Sequence, residues 1–277
     1  MTKKRWITLK SIGIYVNENK DNGLCYTSLL CKEIKQNGMA SSIIVNDNMV
    51  CNIDAIISVG GDGTILKASK IASKYGKPIV GINLGTVGFL TGIDKDKMAL
   101  FIKRIANGQY FLQERSMLEM SILRDNEVIV KNEALNDVVL SKKEVSRAVR
   151  VNCYVNGQFQ TNYLADGVIV ATPSGSTAYS MSAGGPLVDV LANVLIITPV
   201  CSHSFSPSSY ITTDDKTLEF TLDLEEGQKG RVTVDGQDYY DVEKSDIILV
   251  RKSQRVTTLI NFDEVNYFRL LKDKLGR

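Results

Sequence analysis

The chain has 277 residues, 44% of them hydrophobic and 23% charged, with a formal charge of +2. That is the composition of an ordinary soluble globular protein, long enough for two domains, and it argues against disorder. The charge is too small and the lysines too scattered to imply nucleic acid or a membrane surface as partner. Five cysteines without C-x-x-C spacing argue against a disulfide framework or a zinc site. The first ten residues are basic but lack the apolar stretch of a signal peptide, and no segment approaches the ~18 apolar residues of a membrane span, so a cytoplasmic protein is expected.

In chain order, residues 12–16 read as a first strand. Residues 26–36 read as a helix with Leu29, Leu30 and Ile34 inward, ended by Asn37-Gly38. Residues 42–45 are a second strand. Residues 55–59 are a short continuous apolar run, the pattern of a strand buried on both faces, and residues 65–75 space Ile65, Ala68, Ala72 and Tyr75 along one helical face. Gly76 and Pro78 stop that helix before a strand at 79–82, and residues 98–106 form a further helix. Strands alternating with helices predict a parallel sheet with helical crossovers, which binds ligands at its carboxyl edge.

From about residue 111 the period becomes that of strands, expected at 117–123, 127–131, 134–140, 148–155, 158–163, 167–171, 218–224, 230–234, 247–252 and 257–260. Asn156-Gly157 and residues 124–126 read as hairpin turns. The expected architecture is α/β plus all-β: a Rossmann-like parallel domain at 1–112 and a β-sandwich-like domain at 113–262. A final amphipathic helix at 263–277 is expected to dock on the first domain.

Three stretches carry chemistry. The turn Gly60-Gly61-Asp62-Gly63-Thr64 joins a buried strand to a helix. Its glycines admit a ligand to bare backbone, and the helix points free N–H groups back at it, which suits phosphate. Asp62 would repel phosphate unless it takes a proton from an attacking hydroxyl or holds a bridging Mg²⁺; the bland alternative is that Asp62 or Thr64 only caps the helix. The turn is neither a P-loop nor a dinucleotide G-x-G-x-x-G. The second stretch, residues 81–91, keeps a loop thin with three glycines and offers Asn83 and Thr86 for polar contacts and Phe89 as a ring face. Its alternative is a turn with a core Phe.

The third stretch, residues 165–186, crowds Thr172, Ser174, Ser176, Thr177, Tyr179, Ser180 and Ser182 around Gly175, a density suited to sugar hydroxyls and phosphate oxygens. Ser176, Thr177 and Ala178 would open a helix facing a pyrophosphate, with Tyr179 presenting its ring to a base; a hydroxyl-rich loop with an N-cap is the alternative.

Gly-Gly-Asp-Gly-Thr resembles the turn shared by NAD kinases, lipid kinases and, more loosely, phosphofructokinases. Residues 172–179, followed by Ser182-Ala183-Gly184-Gly185-Pro186, resemble the NAD kinase signature, and the likeness extends through residues 81–91, 134–139 and 235–237. The resemblance implies phosphorylation of the 2′-hydroxyl of the adenosine ribose of NAD with ATP and Mg²⁺ to give NADP, at a site between the domains of a homotetramer. It implies Asp62 as base or metal-linked carboxylate, Asn136 with Asp137 on ribose hydroxyls, Asp166 accepting from an amide or amino group, and Phe89 and Tyr179 stacking. Ser174, Thr177 and Ala178 line the pocket in this picture, and Ser182 belongs to the same signature.

The chain departs from the family at His203, preceded by Ser202 where Pro is usual and followed by Ser208-Ser209 where Arg-Pro is expected. It departs again at Leu164, a position often Arg in the family. The only histidine is as compatible with a structural imidazole as with a base. Two other functions fit parts of the pattern: a lipid kinase, disfavoured by the hydroxyl-rich signature, and a dinucleotide sensor without catalysis, disfavoured by an intact Asp62.

Overall fold

A computed structural model describes residues 9–85, 88–143, 148–203, 208–225, 228–262 and Gly276. The chain divides into two compact units, residues 1–115 with 255–277 and residues 116–254. Residues 255–262, expected in the second domain, therefore count with the first unit. The expected final helix lies outside the described residues.

The first unit contains β1 (Ser11–Val16), α1 (Cys25–Gln36), β2 (Ala40–Ile43), β3 (Ala55–Gly60), α2 (Asp62–Lys74), β4 (Ile79–Asn83), the short β5 (Ile93–Asp94) and α3 (Met98–Ala106). Strand order is β2-β1-β3-β4, all parallel, with β5 beside β4 and Leu259 opposite Ile79 on β4. Neighbours on β3 face opposite ways: Ile57 packs with Ile14, Leu30, Ile34 and Ile102, and Ile56 with Ile65, Ala68, Ala72 and Ile79. Burial of both faces is why this strand reads as an unbroken apolar run.

Helix α1 starts where the buried Asp21 carboxylate accepts the backbone N–H groups of Tyr26 (2.9 Å) and Thr27 (2.8 Å) and the Thr27 hydroxyl (2.6 Å). Its inward face is Thr27, Leu30 and Ile34. Leu29 was expected inward and is 48% exposed, because one residue along a helix turns the side chain by about 100°. Strand β2 falls two residues earlier than its sequence pattern suggested.

The second unit is built from β6 (Phe111–Arg124), which begins in the first unit, β7 (Glu127–Ala134), β8 (Asp137–Lys142), β9 (Val149–Val155), β10 (Gln158–Ala165), β11 (Gly167–Ala171), the single-turn α4 (Tyr179–Ser182), β12 (Val194–Val200), β13 (Tyr210–Thr213), β14 (Thr217–Asp223), β15 (Gly230–Val234), β16 (Asp238–Val242) and β17 (Ile247–Asn261). A six-stranded antiparallel sheet runs β13-β12-β11-β8-β15-β16, and β10-β9-β14-β17 forms an antiparallel run in the other. Side chains from both sheets share one core, with Val138, Leu140, Val168, Val170 and Val232 from the first packed on Val151, Phe220, Ile248 and Val250 from the second. Replacing a buried Phe such as Phe220 by Ala costs about 3–5 kcal/mol. The outer face of β11 is also covered, Ile169 and Ala171 packing with Ile196, Ala183 and Val188.

Two differences from the sequence pattern bear on the site. Residues 134–140 were expected to be one strand, but Ala134 ends β7, Leu135 and Asn136 form a break, and Asp137 opens β8. The two expected strands at 247–252 and 257–260 are one continuous β17. Strands β5, β12, β13 and β16 were not among those expected; β12 carries an apolar run, Val194-Leu195-Ile196-Ile197, but Pro199 inside it argues against a strand on sequence alone. Among the described residues no helix is long and apolar enough to cross a membrane.

Candidate active site

In the first unit, the glycine turn leaves β3 and enters α2, whose first residue is Asp62. The turn is rigid. Thr64 is buried, its Oγ1 accepts the Gly61 N–H (3.3 Å) and the Asn17 amide (3.5 Å), and the Gly60 carbonyl accepts the Leu84 N–H (2.8 Å). Asp62 does not cap its own helix. Its Oδ2 accepts the N–H of Phe89 (2.7 Å), and Oδ1 accepts those of Leu90 (3.3 Å) and Thr91 (3.1 Å).

A carboxylate has about four acceptor positions. Three are filled, and the position left open among the described residues is on Oδ2. Gly88 lies so close to the Asp62 carboxylate that a Cβ there would overlap it unless one of the two moved. Gly63 is exposed and Phe89 half-buried. Asn83 is buried, and both ends of its amide are engaged with the Gly85 backbone, donating at 2.9 Å and accepting at 3.2 Å, so its side chain shapes the loop. The Lys20 ammonium, not singled out in the sequence, lies 2.9 Å from where a Cβ on Gly61 would stand.

In the second unit, Asn136 and Asp137 sit at the break between β7 and β8. Asn136 Oδ1 is buried without a hydrogen-bond partner among the described residues, and Asp137 beside it is buried at 5% exposure. Desolvation, with repulsion from Asp235 second, pushes the Asp137 carboxyl up to about 7. Gly175 packs so tightly on this break that a Cβ there would overlap the Asn136 carbonyl.

The hydroxyl-rich stretch differs from expectation. Residues 174–177 form a 3₁₀ turn and α4 is four residues long, so there is no long helix to aim at a pyrophosphate. Most of its hydroxyls hold the loop together: Thr172 Oγ1 donates to the Leu135 carbonyl (2.6 Å), Ser176 to that of Pro173 (2.7 Å) and Thr177 to that of Ser174 (3.2 Å), while Ser180 pairs with Thr198 (3.0 Å). Ser174 and Thr177 are buried, Ala178 is half-buried, and Tyr179 and Ser182 are exposed.

Asp166 pairs with Lys142 Nζ at 2.7 Å. Lys142 gave no sequence signal, because the pair is made by the antiparallel register in which Gly167 faces Ser141. The imidazole of His203, which is exposed, makes no hydrogen bond among the described residues; its backbone N–H donates to the Leu164 carbonyl (2.8 Å).

Comparison with known proteins identifies the chain's relatives. Residues 4–110 match the family model of the ATP-NAD kinase N-terminal domain, and residues 135–262 that of the ATP-NAD kinase C-terminal domain. The NAD kinase of Acetivibrio thermocellus is 38% identical over 278 residues, 95% of this chain and 96% of the relative. That of Caldanaerobacter subterraneus is 37% identical over 283 residues, 96% and 99% of the two chains. Among solved structures, an NAD kinase from Archaeoglobus fulgidus in complex with ATP has a TM-score of 0.79 at 25% identity and covers 96% of this chain and 98% of its own. Yeast NADH kinase complexed with NADH has a TM-score of 0.83 at 23% identity over 98% and 88%, a likeness of fold.

Proposed function

The chain belongs to the ATP-NAD kinase family, and we propose that it moves the γ-phosphoryl group of ATP to the 2′-hydroxyl of the adenosine ribose of NAD, giving NADP, with Asp62 as the base. The lipid-kinase alternative falls away with that membership. The observation that carries the substrate assignment is the pair at the β7–β8 break: a buried amide oxygen without a partner among the described residues, next to a buried carboxyl. Buried polar groups without partners are costly, so the pair is built for a ligand that brings hydroxyl groups. A ribose does so.

In this reading Asn136 and Asp137 orient the ribose, Asp166 accepts from an amide or amino group of the dinucleotide, and Phe89 and Tyr179 give their rings to its flat groups. The turn from Gly60 to Thr64 lets phosphate come close to bare backbone at the start of α2, while its own Gly61 and Thr64 N–H groups hold the turn together. The 2′-hydroxyl hands its proton to the open position on Asp62 Oδ2 as its oxygen bonds the γ-phosphorus. The bond from that phosphorus to the β,γ-bridging oxygen breaks, and ADP leaves. Little covalent chemistry is asked of the protein, since phosphoryl transfer runs mainly on positioning and charge neutralisation.

Among the described residues no group of three or more His, Cys, Asp or Glu side chains could hold a metal. A lone carboxylate fits a magnesium ion supplied with ATP, and Asp62, whose one open position takes the proton, would hold such an ion only through water. Such an ion, when bound, neutralises charge on the phosphates. We assign the protein to the cytoplasm and to a homotetramer on family grounds.

The test is a coupled assay: purified protein, Mg²⁺, ATP or polyphosphate, and NAD or NADH, with NADP(H) read by a specific dehydrogenase. NADP from ATP and NAD is the expected product, and no product under any combination overturns the reading.

A further inference from the structure

Residues 135–137 interrupt a ladder, so their backbone groups need partners from elsewhere. All of them find one. The Asp235 carboxylate accepts the N–H of Leu135 on Oδ2 (2.9 Å) and those of Asn136 (2.8 Å) and Asp137 (3.1 Å) on Oδ1. The Leu135 carbonyl accepts the Thr172 hydroxyl (2.6 Å), the Asn136 carbonyl the Thr172 N–H (2.9 Å), and the Asp137 carbonyl the Asp235 N–H (2.9 Å). What the segment leaves unsatisfied is on a side chain, the Asn136 amide oxygen, with the buried Asp137 carboxyl beside it.

Asp235 is itself buried, at 7% exposure, and opens the turn between β15 and β16 with φ 52°. It lies about a hundred residues from the segment it holds, and its charge works against the neighbouring Asp137. Among the described residues no cation accompanies that effect on Asp137: β11 on one side has no titratable residue, and Arg231 on β15 stands opposite Ser141, four positions along β8 from Asp137. A turn clamped for folding alone gains nothing from a second carboxylate beside Asp137. A pair held ready for a ligand does, because the clamp fixes the backbone through its N–H groups and engages neither side chain.

We propose that Asp235 is the positioning residue of the Asn136-Asp137 pair, fixing the two side chains for the ribose through the backbone N–H groups of residues 135–137. The proposal rests on the reading of that pair as the ribose contact, and the test separates the two. In the full-length enzyme, Asp235→Asn keeps the size and a residue at ease with positive φ, but replaces the carboxylate by an amide with one acceptor atom. The expected result is a rise in KM for NAD of about 10-fold or more, with kcat at saturating NAD and KM for ATP nearly unchanged. The pH profile of KM for NAD should also shift to lower pH, because the charge that opposes ionisation of Asp137 is gone.

Asn136→Ala is the control for the underlying reading. If it leaves KM for NAD unchanged, the ribose assignment fails and the proposal with it. If it raises KM while Asp235→Asn does not, the proposal alone fails. Equal losses on both substrates, with an unmoved pH profile, would make Asp235 structural and also overturn it. Should Asp235→Asn not fold, hydrogen exchange on the wild-type enzyme decides: slow exchange of the 135–137 amides without NAD supports a preset clamp, and fast exchange that slows only with NAD overturns it.

Discussion

The carboxylate of Asp62 accepts the backbone N–H of Phe89 at 2.7 Å, tying the first residue of α2 to a segment 27 residues downstream. With Leu90 and Thr91 also donating to it, one side chain fixes residues 89–91 while keeping one acceptor position open. The same group therefore shapes the loop that carries the ring of Phe89 and, in the proposed mechanism, receives the proton. Changes on either side of the contact have different consequences.

Gly88→Ala tests the loop side. The new Cβ would overlap the Asp62 carboxylate, so either the carboxylate or residues 88–91 must move. We expect kcat to fall by ~10-fold, short of the ~10²-fold that a full 1 Å misplacement of a reacting group can cost. Gly88 is not in the core, so the change in melting temperature should be small. Steady-state kinetics with a melting curve on the same protein checks both; unchanged kcat would mean that the contact is dispensable.

Tyr179→Ala should weaken NAD binding by roughly 1–2 kcal/mol, the order of an aromatic contact. The ring is 46% exposed, so folding stability should scarcely change. A sharp fall in melting temperature with unchanged KM for NAD would place Tyr179 among packing residues and remove it from the site.

The homotetramer assignment is checked by light scattering. A second unit of antiparallel sheets has edges to cover, and self-association is a common way of covering them. A fully active monomer at micromolar concentration would refute it.

Much of this was legible in the sequence wherever the signal is local. The glycine turn follows from a buried apolar run meeting a helical period, and the hairpin turn at Asn156-Gly157 takes the positive φ values its residue types suggest. Contacts that depend on register were not legible. Asp62 meets Phe89, Asp235 meets the break before β8, and Lys142 meets Asp166 because strands place them together across 24 to about 100 residues. The hydroxyl-rich stretch misled in the other direction. Its composition suits a ligand, but Thr172, Ser176, Thr177 and Ser180 bond within the protein because a tight loop over a buried strand has its own backbone to satisfy.

Stability should depend on pH through Asp137. Burial and the Asp235 charge push its carboxyl up to about 7 in the fold, against an ordinary value of 3.8. Between those values the folded state holds a proton that the unfolded chain has lost, so this group's contribution is full below about pH 4 and is lost as pH rises through about 7. The loss is at most about 4 kcal/mol. Asp137→Asn stays neutral throughout, so its melting temperature, compared with wild type, should be relatively higher at pH 8 than at pH 5. Parallel curves for the two proteins would show that Asp137 is already ionised in the fold.

Asp62→Asn tests the catalytic side of the opening contact. If Asp62 mattered only as an anchor for residues 89–91, the amide would retain part of that role, since its one oxygen can still accept backbone N–H groups. Its NH₂ group, however, cannot accept, and would face at least one donor, so some loosening of residues 89–91 is expected in either case. What the amide cannot do at all is take the 2′-hydroxyl proton or hold a metal as an anion. If Asp62 is the base, kcat should fall by ~10²-fold or more, the scale of general-base catalysis. NAD affinity should change far less, because the ribose contacts assigned to Asn136 and Asp137 are untouched. The measurement is a pair on one protein, calorimetric NAD affinity and kcat, with Gly88→Ala as the reference for loop disturbance alone. A kcat loss no larger than that of Gly88→Ala would reduce Asp62 to a loop anchor, and retained kcat would remove it from the chemistry altogether.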